Sequence, residues 1–421
     1  MKLTAFISSC LALLLLHSAV HAQAKKNAAP APAKQVKAAQ KPIAKEPQKA
    51  MQPAWVPTSM IPNLYSEWPA IKAVNCGPNA KTADEFFNRG DFRNAANEYM
   101  KIIDKEPKNG KLSYALGLSY LLGNGDRTRA IPFLEILLGE AANYSHLHYY
   151  LGKSYAFALR FDEALSMFKK AHEASNAPVD KKWLGREMEM CENGKKLMQE
   201  KVNVLFENLG DKINSEYSEF LPFISSDESF LTFTSDRKTT ENRKANGLLA
   251  TDVYMSGVDL GNWITPKNVG SAINTNQGDE QVVGVSADGQ TMIYNFNAGG
   301  GEGHGDIFVG PFFQRQILKP FKLGTTINSP FFENAAAISP DGKTMYFSSN
   351  RPGGQGGFDL YRSLILPNGE WSEALNLGPD INTPYDDDFP FLSMDGKELY
   401  FASKGHNSMG GFDVFRASLN E

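Results

Sequence analysis

Four copies of one short motif, G-x-x-I-N, divide the C-terminal half of the chain at near-equal intervals: GDKIN (210–214), GSAIN (270–274), GTTIN (324–328) and GPDIN (378–382). An apolar residue precedes each glycine: Leu209, Val269, Leu323 and Leu377. A turn-centred stretch follows each copy: FISSDESFLTFTSDR (223–237), VGVSADGQTMIYNFN (283–297), AAISPDGKTMYFSSN (336–350) and PFLSMDGKELYFASK (390–404). A third landmark closes the unit: TDVYMS, GDIFVG, FDLYRS and FDVFRA, whose aspartates Asp252, Asp306, Asp359 and Asp413 are 54, 53 and 54 residues apart. Units repeated at such a period share one local structure and bury their apolar faces against one another.

The third unit shows what that structure is. Ala335-Ala336-Ala337-Ile338 reads as a strand leading into Ser-Pro-Asp-Gly, where Gly342 supplies the positive φ of a hairpin turn. Thr344 to Phe347 returns as a second strand, and Phe358 to Ser363 follows a Gly-rich loop as a third. NGEW (368–371) turns toward a fourth ending at Leu377-Gly378. Four antiparallel strands per unit of about 54 residues make a β-propeller blade, so residues 201–421 read as a propeller of about four blades. The chain stops after the third-strand motif of the last unit, and residues 201–209 (KVNVLFENL) stand where other units have a fourth strand. That segment is expected to complete the last blade and close the ring, because unpaired strand edges invite aggregation. An open or partner-completed arc is the alternative.

Residues 76–200 read differently. Apolar residues fall at helical spacing, and Gly117 and Gly152 are 35 residues apart, as are Tyr120 and Tyr155. Three units follow one phase: Gly90-Asp91-Phe92, Ala95 and Tyr99; Gly117, Tyr120 and Ala130; Gly152, Tyr155, Phe161 and Ala164. Small residues let paired helices approach, and residues 180–200 read as a capping helix. The fold class is thus multidomain: tetratricopeptide-like α-helical hairpins followed by an all-β propeller. Stacked hairpins commonly present a concave face to a peptide, and Phe92, Tyr120, Tyr155 and Phe161 are the candidate partner-binding residues.

The N-terminus carries an export signal over residues 1–22: Lys2, an apolar run from Leu3 to Leu16, and Val20-His21-Ala22 before Gln23. The run is too short for a membrane span, and no transmembrane span is expected in the mature chain. Cys10 fits a lipoprotein processing site only superficially, since the apolar run continues beyond it. Residues 23–75 form an Ala/Lys/Pro-rich tether, expected to be disordered because its 23–55 stretch has almost no large apolar side chain. Residues 1–55 hold eight Lys and one Glu, a net +7, which leaves −11 for the remainder of a chain of net charge −4. Nothing in that acidic body suggests a nucleic-acid surface. Cys76 and Cys191 remain after maturation, either as a disulfide or as two buried thiols, and no Cys/His cluster has metal-ligand spacing.

One set of acids is in phase with the repeat. Glu219, Glu280, Glu333 and Asp387 each stand eight residues before a turn aspartate. Fourfold symmetry would place them in a ring near one mouth of the channel, where a hard cation such as Ca²⁺ could neutralise them. Alternatively each accepts local backbone N–H bonds. Asp252, Asp306, Asp359 and Asp413 read as structural ties, and Arg237 and Arg351 as partners of nearby acids. His304 and His406 lie in Gly-rich loops without metal-ligating neighbours. No cofactor is expected. The turns lack the separated Asp and Gly of a sialidase box, and no G-x-S-x-G accompanies the propeller. The presence of an acid in every blade points to symmetry rather than catalysis, so the chain reads as no enzyme.

The S-x-D-G-x-x-[LM]-Y-F hairpins resemble the WD40-like repeats of TolB-type propellers. SSNRPGGQGGFDLYRS and FASKGHNSMGGFDVFRA resemble more closely a group of exported Bacteroidetes-type envelope proteins with tetratricopeptide repeats, this propeller and an OmpA-like peptidoglycan-binding domain. Members include PorE-like accessory proteins of type IX secretion. The OmpA-like domain and a further blade are missing here, so direct peptidoglycan binding is not supported. The resemblance implies a periplasmic or outer-membrane-associated scaffold whose partners are outer-membrane, secretion or gliding components. An envelope carbohydrate-binding protein, or a glycan-acting enzyme using the propeller acids, is the alternative.

Overall fold

The computed structural model describes residues 68–419 except 70, 124, 175–178, 200–204, 206, 216, 226, 238–249, 276–277, 287–288, 298–304 and 314–315. The export signal, Cys10, His304 and most of the tether lie outside the described residues. The described end of the expected tether belongs to the helical core instead. Trp68 and Ile71 are buried there, Trp68 meets Tyr149 edge-on, and Tyr150 Oη donates to the Pro69 carbonyl at 3.1 Å. The expected boundary at residue 76 is therefore corrected: two large apolar side chains pull this stretch into the core.

Among the described residues the helical part has seven α-helices: α1 (Lys81–Asn88), α2 (Phe92–Ile103), α3 (Gly110–Leu122), α4 (Ile131–Glu135), α5 (Leu147–Phe157), α6 (Phe161–Glu173) and α7 (Lys181–Leu197). Neighbours in sequence pack as neighbours in space. Gly90, at φ 85°, turns the chain out of α1, and the Asp91 carboxylate accepts from Asn94 N to cap α2. The glycines of the 35-residue spacing sit where helices cross. A Cβ on Gly117 would lie 2.7 Å from a Leu134 methyl, and one on Gly152 the same distance from the Phe168 ring.

Among the described residues the second half has seventeen strands in four antiparallel sheets. Blade 1 comprises β1 (Glu219–Ile224), β2 (Phe230–Ser235), β3 (Asp252–Asp259), β4 (Asn262–Trp263) and β5 (Lys267–Asn268). Blade 2 comprises β6 (Asp279–Val285), β7 (Thr291–Asn297), β8 (Asp306–Phe313), β9 (Gln316–Ile317) and β10 (Phe321–Lys322). Blade 3 comprises β11 (Glu333–Ile338), β12 (Thr344–Ser349), β13 (Asp359–Leu364) and β14 (Leu375–Asn376). Blade 4 comprises β15 (Asp387–Leu392), β16 (Glu398–Ser403) and β17 (Asp413–Ser418). First strands pack in succession, β1 on β6, β6 on β11 and β11 on β15. Each carries a register shift after its first few residues. This is a four-bladed propeller arrangement, and it shares one compact unit with the helices.

Local chemistry explains the repeat. In blade 3 the Ser339 hydroxyl donates to Asp341 at 2.6 Å, and Gly342 takes φ 70°, which fixes the hairpin turn. The asparagine of the second, third and fourth G-x-x-I-N motifs latches one blade to the previous one. Asn382 Oδ1 accepts from Leu360 N at 2.7 Å and its Nδ2 donates to Leu360 O at 2.9 Å. Asn274 brackets Val253 in the same way, and Asn328 brackets Ile307. A side-chain amide thus imitates one more strand at the sheet edge.

Among the described residues the expected closing strand is not found. The fourth sheet has three strands, Leu205 is 91% exposed, and residues 207–210 have no strand conformation. Residues 201–204 and 206 lie outside the described residues. The far side of blade 4 is correspondingly open: Val414 is 78% exposed, whereas its counterparts Val253, Ile307 and Leu360 are fully buried.

Candidate functional site

The helices and the propeller meet at α7. Arg186, itself buried, donates to the carbonyl oxygens of Lys404 (2.7 Å from Nη2) and His406 (3.2 Å) in the loop after β16. Asn193 Nδ2 reaches the Ser408 carbonyl at 3.2 Å. Trp183 and the Arg186 guanidinium both lie against the Tyr385 ring. A guanidinium suits such a junction because its planar fork satisfies several carbonyls at once.

Beside this junction is a cavity of about 620 Å³. Trp68, Phe157 and Trp183 from the helices face Met409 and Phe412 from blade 4, and Lys153, Glu187 and Lys404 supply charge. Lys153 and Glu187 form a buried ion pair at 2.8 Å. The Lys153 ammonium lies 5.2 Å from the Trp68 ring centre, and Tyr149 Oη adds a hydrogen bond to Glu187 at 3.1 Å. Phe157 and Leu159, both exposed, form the rim. An apolar floor with a few fixed charges is the usual make-up of a recognition cleft, and interfaces between modules are a usual place for one. Nothing in the sequence spacing pointed to this cleft. Its lining residues are distant in the chain and come together only when the modules dock.

The four repeat acids do not form a common site. Glu219, Glu333 and Asp387 are each held by the loop that enters their own strand and by the strand beside it. Glu333, fully buried, accepts from the Ser329 hydroxyl at 2.6 Å, the Ser349 hydroxyl at 2.8 Å and Arg351 Nη2 at 3.1 Å. Glu219 has the same partners in Ser215, Ser235 and Arg237, and Asp387 uses Thr383 and Ser403. In blade 4, His406 Nε2 lies 3.0 Å from the Ile381 carbonyl, the position that Arg351 fills against Ile327 in blade 3. The central cavity between the first strands is lined by Ile224, Val283, Ala336, Phe391 and similar apolar residues, and by none of the four acids. Among the described residues no group of three or more ligating side chains could hold a metal ion. The Ca²⁺ ring expected from symmetry is therefore corrected: local hydroxyls, backbone N–H groups and arginines neutralise the acids one by one.

Glu280 is the exception within the set. Phe296 stands opposite it where the other blades have serine. Its Oε1 accepts from the Thr275 hydroxyl at 2.6 Å, and its buried Oε2 has no hydrogen-bond partner among the described residues. Burial pushes its carboxyl up to about 7, opposed by the Thr275 bonds. Burial also raises Glu333 and Asp387 above the ordinary carboxylate range, against the bonds from their serines and threonine.

The expected ties are present. Asp252 accepts from Asn268, Asp306 from Lys322, Asp359 from Asn376, and Asp413 from Ser408. The aromatic residues proposed to face a partner are placed otherwise. Phe92, Tyr155 and Phe161 are buried in the helical core and cannot touch a partner. Tyr120 is half-buried, stacks on Phe133 and accepts from Arg129. Helical periodicity selected the right residues for packing and the wrong role for them. Cys76 and Cys191 are separate buried thiols. Burial raises both, Cys191 to about 12 and Cys76 further.

No protein-family model matches the sequence, and no curated protein matches it. Solved structures with a similar fold include TolB from Acinetobacter baumannii, 18% identical over 49% of this chain and 42% of that one, with a TM-score of 0.33. A putative TolB from Agrobacterium tumefaciens is 18% identical over 47% of this chain and 60% of that one, at 0.32. An α-L-arabinanase from Penicillium chrysogenum is 15% identical over 49% and 59%, also at 0.32. The matched part spans about half the length of these proteins. Likenesses this distant carry no argument about activity.

Proposed function

We propose that this protein is a non-catalytic scaffold of the bacterial envelope that grips a protein segment in the cleft between its helices and blade 4. The cleft carries the reading: an apolar floor of Trp68, Trp183 and Met409, with a buried ion pair and Lys404 fixed beside it. The ligand this favours is a peptide offering one large apolar side chain with a carboxylate nearby, since aromatic floors beside cations suit that pair. The hairpin spacing and the blade motifs add tetratricopeptide-type repeats, periplasmic residence and a place in type IX secretion or gliding to the proposal. The commitment of the propeller acids to their own blades supports the absence of catalysis.

The full exported chain, used as bait in envelope extracts, is expected to retain defined proteins, and Phe157→Glu with Leu159→Glu is expected to release them. Retention unchanged by both substitutions would refute the cleft. Hydrolysis of an envelope glycan that is lost in Glu280→Gln or Glu333→Gln would refute the scaffold reading.

A further inference from the structure

Three of the four G-x-x-I-N motifs are spent on latches within the chain, and the first is not. Asn274, Asn328 and Asn382 are buried against the third strand of the preceding blade. Asn214 is exposed, although its turn is already built. Asn208 Oδ1 accepts from Gly210 N at 2.8 Å, Asn214 N donates to the Gly210 carbonyl at 2.9 Å, and Gly210 has φ 82°. The same contacts shape the turn at Gly378. Ile213 is seated against Leu231, Phe233 and Tyr254. Asn214 Nδ2 donates to Asn208 Oδ1 at 3.0 Å, as Asn382 Nδ2 does to Asn376 Oδ1 while it brackets Leu360, so the plug is preorganised and keeps its Oδ1 and its second amide hydrogen for a strand.

Its matching socket is equally bare. Val414 on β17 pairs with Ala402 as Leu360 pairs with Ser348, so its backbone N–H and C=O point outward as those of Leu360 do. No described residue brackets them. Charges agree as well. The blade 3 pairing sets Leu375 opposite Arg362, and the equivalent register sets Glu207 opposite Arg416, both exposed, where Glu207 joins the ion pair that Arg416 makes with Glu398 at 3.3 Å.

We infer that the Glu207–Asn214 segment of one molecule docks on β17 of a second copy, with Asn214 bracketing Val414, so that the protein assembles head to tail. The occupant is a second copy because plug and strand edge lie on the same chain, match in register and charge, and share no hydrogen bond or ion pair among the described residues. Such an interface is heterologous and open-ended, and it covers an apolar strand edge that would otherwise be a liability.

Sedimentation of the full exported chain over a concentration series tests this. The mass is expected to rise with concentration, and Asn214→Ala is expected to weaken association about tenfold, the loss of two hydrogen bonds. Arg416→Glu is expected to weaken it and Glu207→Arg to restore it in the double variant. Mixed and oxidised, Glu207→Cys and Arg416→Cys proteins are expected to link one to one. A monomer at every concentration with no mixed link overturns the inference. So does a double-cysteine protein that links within a single chain at monomer mass, which would mean that the plug closes its own ring. Association unmoved by both Asn214→Ala and Arg416→Glu also overturns it, since another surface would then be responsible.

Discussion

Arg186 in α7 donates from both Nε and Nη2 to one oxygen, the carbonyl of Lys404, at 3.2 and 2.7 Å, and so ties the last helix to the last blade. The side chain is buried, and Glu189 balances its charge at 2.9 Å. Truncation strands the Lys404 and His406 carbonyls without a donor. Arg186→Ala is therefore expected to cost about 2–3 kcal/mol, the range for hydrogen bonds to a charged group. It should also uncouple the melting of helices and propeller. Calorimetry checks this, with two separated transitions expected in place of one. Arg186→Lys should recover little, because an ammonium cannot reproduce the fork.

Gly152 offers a test of the helical stack. Its missing side chain is what lets α5 lie against the Phe168 ring, which is fully buried. Gly152→Ala gains helix propensity but drives a methyl into that ring. Overpacking of about 1–3 kcal/mol should outweigh a propensity gain of about 1 kcal/mol. A denaturant melt is expected to show net destabilisation. Net stabilisation would mean that α5 and α6 can separate without loss.

What could be read from the sequence was what local chemistry repeats. Ser339, Asp341 and Gly342 define a turn through bonds made within five residues, so four copies announced four hairpins. Arg237 and Arg351 stand eighteen residues after Glu219 and Glu333 and do pair with them. That Glu280 is the under-served acid emerges only from the strand register, which sets Phe296 opposite it where the other blades have serine. The direction of a helical face was not visible. The spacing that groups Phe92, Tyr155 and Phe161 is the same whether they look into a core or toward a partner. The cleft was hidden for a different reason: docking of α7 on the loop after β16 creates it, and no periodicity encodes a contact between residues more than two hundred positions apart.

Blade 1 departs from its siblings at the hairpin. Gly289, Gly342 and Gly396 take φ near 70°, and the corresponding residue in blade 1 is Glu228, at φ 54°. An L-residue there carries a steric cost of about 1 kcal/mol that glycine avoids. Glu228 is exposed and its carboxylate is not needed for the turn, because Asp227 accepts the Ser225 hydroxyl and Ser229 N. Glu228→Gly is expected to raise stability by about 0.5–1 kcal/mol in urea. A loss would show that the added freedom of the unfolded glycine outweighs the strain relieved.

Glu280 gives the propeller a dependence on pH whose sign follows from its surroundings. Its carboxyl titrates at about 7 in the folded protein against an ordinary value of 4.5. Between those values the folded state holds a proton that the unfolded state has released, so stability falls as pH rises through that window. Below it both states are protonated and the favourable contribution is complete. Above it the folded protein carries a buried carboxylate with one oxygen unsatisfied. Glu280→Gln keeps an oxygen to accept from Thr275 and removes the charge. Variant and wild type are expected to melt within a degree or two of each other at pH 4.5. Their difference should grow in favour of the variant up to about pH 7, reach several degrees and then level off. Glu333, Asp387 and Asp388 are also raised by burial, so the wild-type curve alone cannot assign the effect, whereas the difference between the two proteins isolates Glu280. A difference that is constant across this range would mean that the Glu280 carboxyl has an ordinary affinity for its proton.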